Sequence, residues 1–333
     1  MEKIDFVIPW VDGSDLKWQE EKNKYSNKKE NPANAVIRYR DMKVLKYWFR
    51  GVEKFTPWVN RIHFVTFGHI PEWLDTTNPK LNIVKHTDFI PEKYLPTFSS
   101  HVIELNFHRI KGLADKFVYF NDDIFVIKPT PESYFFKNGL PCDLWREDIY
   151  CLDKGTDTFF PHIILNNRLL ISRNFWKRDV FKKNFKKIIN PVYGRKNLGF
   201  LLLSKWPYMA EYTDYHTASC FLKKTFEEVW EKEYECLDKT CMHKFRTIED
   251  VNQGSMQLWQ IFSGNFMPRS YKNYGKYFEL KNENSKLFDC IDYSLNNVIC
   301  INDTDPNLDY EKVTKELALH FEKILPEKSS FEK

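Results

Sequence analysis

The sequence predicts an α/β protein with a mostly parallel sheet flanked by helices and a helix-rich carboxyl-terminal part. Four short runs, Ile4–Val11, Arg61–Phe67, Leu81–Lys85 and Lys116–Phe120, have the β-branched and aromatic content of buried strands. Helical patterns and turns separate them, and strand and helix in alternation build parallel sheets. A third observation places the chemistry. The Lys116–Phe120 run stops abruptly in Asn121-Asp122-Asp123, and in open α/β sheets ligands bind at the carboxyl ends of strands. Two adjacent carboxylates there suit a hard cation that also meets substrate phosphates. A solvated turn suits the same three residues equally well.

The first strand, Ile4–Val11, runs into Asp12-Gly13-Ser14-Asp15 and then a polar helix from about Leu16 to Asn27. A strand that ends in a glycine turn and opens into a helix offers backbone N–H groups to an anion. A plain β–α turn reads the same way. Asn23–Asn34 is polar and lysine-rich and reads as a mobile loop able to fold over a substrate. Arg38 and Arg40 precede a helix with Leu45, Trp48, Phe49 and Val52 on one side and a stop at Thr56-Pro57. Arginine forks match phosphate oxygens, although surface ion pairing is the commoner fate of a single arginine. Pro71–Leu74 links the second and third strands. Ser100 caps a helix carrying Ile103, Phe107 and Ile110, and a Lys111-Gly112 turn leads into the Asp122-Asp123 strand.

Beyond residue 140 the pattern loosens. Asp143–Ile171 mixes Gly, Pro, Asn and aromatics and is expected to be rich in loops, while Asn174–Lys187 alternates aromatic and basic residues. The latter predicts an amphipathic helix with Phe175, Trp176, Phe181 and Phe185 packed and the lysines solvated, leaving open an electrostatic role toward an anionic polymer or bilayer. The longest apolar run, Leu198–Leu203, reads as core. Ala218–Tyr234 is expected to be one long helix with Phe221, Val229 and Trp230 on one face. Val298–Ile301 is a short strand closed by Asn302-Asp303, as the earlier strand is closed by Asn121-Asp122. Tyr310–Ile324 is a covering amphipathic helix. The expected organisation is an α/β half, 1–140, and a helix-rich half, 141–333, within one catalytic unit.

With 333 residues, 42% of them hydrophobic and 17% aromatic, the chain can bury a substantial core. Fifty basic residues against 46 acidic ones leave +4, too balanced for a nucleic-acid binder. The mild excess suits anionic small substrates or acidic lipid. Seven cysteines (Cys142, Cys151, Cys220, Cys236, Cys241, Cys290 and Cys300) form no secretory framework and read as reduced thiols. Cys236, Cys241 and His243 match no common zinc spacing. No stretch reaches the ~20 apolar residues of a membrane span, and a strand begins at Ile4 with no signal peptide before it. The expectation is a cytoplasmic protein whose membrane contact, at the inner face of the plasma membrane, would be peripheral.

Leu95–Phe125, Ile4–Asp15, Tyr215–Phe262 and Val298–Asp303 occur in the order of, and closely resemble, the conserved regions of the Stealth family of hexose-1-phosphate transferases. That family includes bacterial capsular and exopolysaccharide phosphotransferases and the animal N-acetylglucosamine-1-phosphate transferase. Pro9 departs from the family pattern, which carries Thr before the Trp-Val-Asp/Asn-Gly turn.

The resemblance implies a Rossmann-like, glycosyltransferase-A-like sheet. It also implies transfer of a sugar-1-phosphate from a nucleotide diphosphate sugar to a hydroxyl of an oligosaccharide or lipid-linked glycan acceptor, with release of the nucleoside monophosphate. His216 then stands as general base, Arg246 as a clamp on phosphate oxygens, and Asp123 beside them in catalysis. Asp122, Asp123 and Asp303 would hold a divalent cation, Mg²⁺ or Mn²⁺. Trp10, Asp12, Gly13, Asp15, Arg40, Asn121 and Asn302 would line the substrate. A metal-dependent glycosyltransferase releasing the nucleoside diphosphate would carry a similar carboxylate pair after a strand. A glycan-binding module using the aromatic surface is the alternative that is not an enzyme.

Overall fold

The computed structural model describes residues 3–26, 39–148, 159–212 and 215–333. Arg38, Cys151 and most of the lysine-rich 23–34 segment lie outside the described residues. The principal elements are β1 (Ile4–Trp10), α1 (Leu16–Tyr25), α2 (Leu45–Phe55), β2 (Ile62–Thr66), β3 (Leu81–Lys85), α3 (Ser100–Leu105), β4 (Lys116–Tyr119) and β5 (Ile124–Val126). They continue as α4 (Phe159–Asn174), α5 (Lys177–Lys183), α6 (Lys196–Ser204), β6 (Ser219–Leu222), α7 (Lys223–Lys232), α8 (Gly254–Ser263), β7 (Lys276–Glu279), β8 (Val298–Asn302) and α9 (Tyr310–Ile324).

The main sheet has the order β6-β4-β1-β2-β3. Strands β4, β1, β2 and β3 are parallel, and β6 closes one edge antiparallel to β4. The continuous apolar character of β1 follows from burial on both faces. Phe6 and Ile8 enter one core cluster and Val7 the other, just as Val118 and Phe120 are divided from Phe117 and Tyr119 on β4. One face is covered by α2 and α9, and the other by α7 and α8.

Two buried polar groups pin the carboxyl-terminal segment and the sheet. Arg50 of α2 donates to both carboxylate oxygens of Glu332, at 2.8 and 2.9 Å, and to the Leu325 carbonyl at 2.8 Å. The last residues therefore pack on the first half of the chain. Inside the sheet, the Asp5 carboxylate meets His63 Nε2 at 2.9 Å and accepts from the Asn60 amide at 2.6 Å and the Ala114 N–H at 2.8 Å. Burial by itself would raise the Asp5 pKa, but these hydrogen bonds outweigh it and hold the carboxyl below its ordinary value.

A second, three-stranded sheet, β7-β8-β5, positions the site. β8 runs antiparallel to β5 and parallel to β7. The Ile301 N–H donates to the Asp123 carbonyl at 2.8 Å. This hydrogen bond places Asn302-Asp303 next to Asp122-Asp123.

Four expectations need correction. Ser219–Leu222 is a strand, and the helix begins only at Lys223. The edge of β4 offers unpaired backbone groups, and Gln260 of α8 locks the strand by donating to the Cys220 carbonyl and accepting from the Leu222 N–H. Tertiary pairing thus overrides a helix-compatible pattern. The 143–171 region contains the start of α4, a 16-residue helix. The 174–187 stripe is two short helices, α5 and Phe185–Ile188, in which Phe175 packs on Trp259 but Trp176 is 80% exposed. Leu198–Leu203 is not core: Phe200 points inward while Leu198, Leu201 and Leu202 face solvent.

Candidate active site

Strand register brings the two polar turns together. In the antiparallel β4–β6 pair Ser219 lies opposite Tyr119, so the residues just before Ser219 flank those just after Tyr119. His216 consequently meets the Asn121-Asp122-Asp123 turn. Its Nε2 lies 3.1 Å from the Asn121 side-chain amide nitrogen and 3.3 Å from Asp123 Oδ2. The carboxylate favours a proton on that nitrogen, and the amide N–H favours a lone pair there. The buried Tyr119 hydroxyl sits between Asn121 Oδ1 and Glu104 Oε1, 3.0 Å from the latter. Its single hydrogen is shared between these two acceptors, which ties Asn121 to the buried Glu104.

Three further elements close the site. Arg40 donates through Nε and Nη2 to the two Asp303 oxygens at 3.0 and 2.7 Å, reaches the Asp305 carbonyl at 3.2 Å, and lies over the Tyr310 ring. Arg246 donates to Ser100 Oγ at 2.8 Å, at the start of α3. Asn302 donates to the Tyr277 hydroxyl at 2.7 Å. Trp10, Arg40, Asn121, Asp122, Asp123, His216, Arg246, Asn302 and Asp303 line a single cleft of ≈ 190 Å³, together with Tyr39 and Asp41.

The other three residues expected at the substrate do not line that cleft. Asp12 accepts from the Ser14 N–H and hydroxyl at 2.9 and 2.6 Å, and Asp15 caps α1 by accepting from the Trp18 N–H at 2.7 Å. Gly13 is required by close approach: a Cβ there would lie 2.1 Å from the Tyr39 carbonyl oxygen. This turn supports the segment that carries Arg40.

The cleft floor is strongly acidic. Burial raises the Asp122 pKa to about 7, and Asp123 and Asp41 push in the same direction. Asp41 is itself raised by burial and by Asp12. Asp123 Oδ1 is buried with no hydrogen-bond partner, an oxygen whose charge a cation would satisfy. The Asp303 oxygens, in contrast, are both engaged by Arg40.

Asp123, His216 and Cys300 place candidate ligand atoms within 4.8 Å of one another. Burial, and then the Asp123 charge, raise the Cys300 thiol well above its ordinary pKa, and it donates to Asp123 Oδ2 at 3.5 Å. By that hydrogen bond it supports the carboxylate, and the Asp122 and Asp123 carboxylates of the cleft are the oxygen donors a hard cation takes.

Sequence reasoning passed over Cys300, Tyr119 and Glu104 as site residues. The available signal was strand alternation, which puts Cys300 on the same face of β8 as Asn302. Other polar clusters are structural. His101 and His243 both bind Asp250, at 3.0 and 2.7 Å, and burial pushes His108 down to about 3. Cys241 is buried beside Asn106.

Residues 2–30 match the family model of Stealth protein conserved region 1, and residues 38–142 that of conserved region 2. The capsular polysaccharide phosphotransferase WcwK of Streptococcus pneumoniae is 43% identical over 99% of both chains. The exopolysaccharide phosphotransferase cps2G of Lactiplantibacillus plantarum is 36% identical over 99% of this chain and 96% of its own. The receptor polysaccharide phosphotransferase WefC of Streptococcus oralis is 36% identical over the whole of both chains. Among solved structures, the galactosyltransferase LgtC in complex with donor and acceptor sugar analogs aligns over 94% of this chain and 95% of its own, at 13% identity and a TM-score of 0.39. At such identities to relatives matched along the full chain, the protein belongs to the Stealth family and is an enzyme of the phosphotransferase class.

Proposed function

We propose that the protein transfers a hexose-1-phosphate, or N-acetylhexosamine-1-phosphate, from a nucleotide diphosphate sugar to a glycan hydroxyl in the cytoplasm, building capsular or other cell-surface polysaccharide. A phosphodiester forms and the nucleoside monophosphate leaves. The observation that carries this reading is the convergence of His216–Asp123 with Arg40 and Arg246 in one cleft. An imidazole is placed beside a carboxylate pair, with guanidinium groups on the walls, as attack at phosphorus next to a pyrophosphate demands. The names of the relatives support a polysaccharide acceptor.

In this reading His216 takes the proton of the acceptor hydroxyl as its oxygen bonds to phosphorus, and Asp123 stabilises the imidazolium that results. The Asn121 amide meets the ring at Nε2. Arg246 offers a planar guanidinium to non-bridging phosphate oxygens, and Arg40, whose Nε and Nη2 hold Asp303 and the Asp305 carbonyl, adds its positive charge and its Nη1 N–H groups. Asp122 and Asp123, whose Oδ1 is buried with no hydrogen-bond partner, would hold a divalent cation, Mg²⁺ or Mn²⁺. Bound there, such an ion supplies charge neutralisation to the pyrophosphate. Asp303 acts through Arg40, setting the direction of its guanidinium.

Phosphorus NMR of products made from a panel of nucleotide sugars tests the reading. Nucleoside monophosphate together with a phosphodiester resonance is expected. Nucleoside diphosphate release with a purely glycosidic product would replace it with the glycosyltransferase alternative.

A further inference from the structure

The segment Trp176–Tyr208 is chemically unlike the rest of the molecule. It carries nine Lys and Arg residues against the single Asp179, a net +8 in a chain whose total is +4. The remainder of the chain is therefore net negative, and the basic excess is concentrated in this one segment.

The same segment displays large apolar groups to solvent. Leu198 and Leu202 on α6 are 66% and 63% exposed, and Leu201 lies beside them. Spacings of three and four residues put the three leucines on one helix face, opposite the buried Phe200. Just past the helix, Trp206 and Tyr208 are 60% and 81% exposed.

This surface is held in place. Lys177 is buried, pairs with Glu147 at 2.6 Å, and donates to the Leu203 and Tyr208 carbonyls at 2.7 and 3.1 Å. It clips the end of α6 and the Trp206–Tyr208 turn to the start of α5, which sets the exposed Trp176 beside them. Arg195 and Lys205, both exposed, stand at the two ends of α6, and exposed Arg178 follows Trp176 by two residues. Leucines, indoles and a phenol with guanidinium and ammonium groups around them match the boundary between acyl chains and anionic headgroups.

We propose that this face docks peripherally on an anionic phospholipid bilayer. A second copy of the chain fits it poorly, because a two-fold contact would set two like-charged segments against each other. A soluble anionic polymer would use the cations and leave the leucine face and the two indoles in water. Among the described residues no helix is long and apolar enough to cross a membrane, so the contact is a surface one. Each basic residue near an anionic leaflet raises affinity roughly five-fold, and the apolar groups add hydration-driven insertion.

The test is co-sedimentation of the full chain with vesicles of phosphatidylcholine alone or with about one-third phosphatidylglycerol. Binding to the anionic vesicles at least ten-fold tighter than to the neutral ones is expected, weakening as salt rises. L198S/L202S/W206S and, separately, R178E/R195E/K205E are each expected to lose at least ten-fold, with unchanged circular dichroism and melting temperature. A blue shift of tryptophan emission on anionic vesicles, absent in W206F/W176F, would support insertion of the indoles. The proposal is overturned if the wild-type chain ignores anionic vesicles, or if the apolar triple variant binds them undiminished, which would indicate a polyanion site. A wild-type dimer that the apolar variant converts to monomer in sedimentation would overturn it in favour of self-association.

Discussion

Arg40 and Asp303, 263 residues apart, are joined by a two-pronged hydrogen-bonded ion pair at 3.0 and 2.7 Å. The pair ties the entry to α2 to the end of β8 and makes a cleft wall of two distant segments. A fork of this kind fixes direction as well as distance. Arg40→Lys keeps the charge and loses the fork, so kcat/KM is expected to fall by about ten-fold or more, chiefly through the donor KM. Asp303→Asn should produce a similar loss. The double variant should be no worse than either single one, a coupling of roughly 1–3 kcal/mol in a double-mutant cycle. Additive losses would show that the two residues act separately.

His216→Ala and Asp123→Asn are each expected to lower kcat by roughly 10²–10⁴ with the melting temperature little changed. The two groups touch, so their combined loss should be far less than the product of the single losses. Steady-state kinetics with a fixed donor distinguishes the cases, and a His216→Ala enzyme with normal kcat would remove the proton-transfer role.

Chelation of divalent ions should reduce turnover to background, with recovery on adding Mg²⁺ or Mn²⁺. Because the Cys300 thiol donates to Asp123 Oδ2, a role a serine hydroxyl can also fill, Cys300→Ser should leave Mn²⁺ affinity within a few-fold when measured by titration calorimetry. Asp123→Asn should weaken it by at least ten-fold. A large loss in the serine variant would make the sulfur a direct ligand.

Gly13→Ala places a methyl 2.1 Å from the Tyr39 carbonyl oxygen. The segment carrying Arg40 must move to accept it, at a cost of about 1–3 kcal/mol. A lower melting temperature accompanied by a raised donor KM is expected. A fall in stability with intact kinetics would separate this turn from the cleft.

Asp5 is buried and its folded pKa is held below the ordinary 3.8. A carboxyl with a depressed folded pKa contributes stability that is fully present above the unfolded value and is lost as pH falls through the folded one. Asp5→Ala, which strands His63 and Asn60, should cost about 3–5 kcal/mol at neutral pH. The gap in melting temperature between wild type and variant should narrow below pH ~4. A gap independent of pH would mean that the loss is one of packing alone.

The residues by themselves determined the parallel strands, because Ile4–Val11 and Lys116–Phe120, Asp5 and Lys116 apart, carry apolar side chains on both alternations, as a strand covered on both faces does. They also determined the α9 helix, whose apolar stripe repeats at helical spacing, and the two polar strand ends, Asn121-Asp122 and Asn302-Asp303. Tertiary structure alone decided the rest. Ser219–Leu222 became a strand because the free edge of β4 and the Gln260 side chain offered its backbone partners, which no local pattern encodes. Leu198–Leu203 became a surface because nothing among the described residues packs over its outer face. Asp303 faces Arg40 and Cys300 supports Asp123 because β8 docks on β5. Such pairings join residues 38 to 263 positions apart, and side-chain periodicity along one element carries no information about which element will lie beside it.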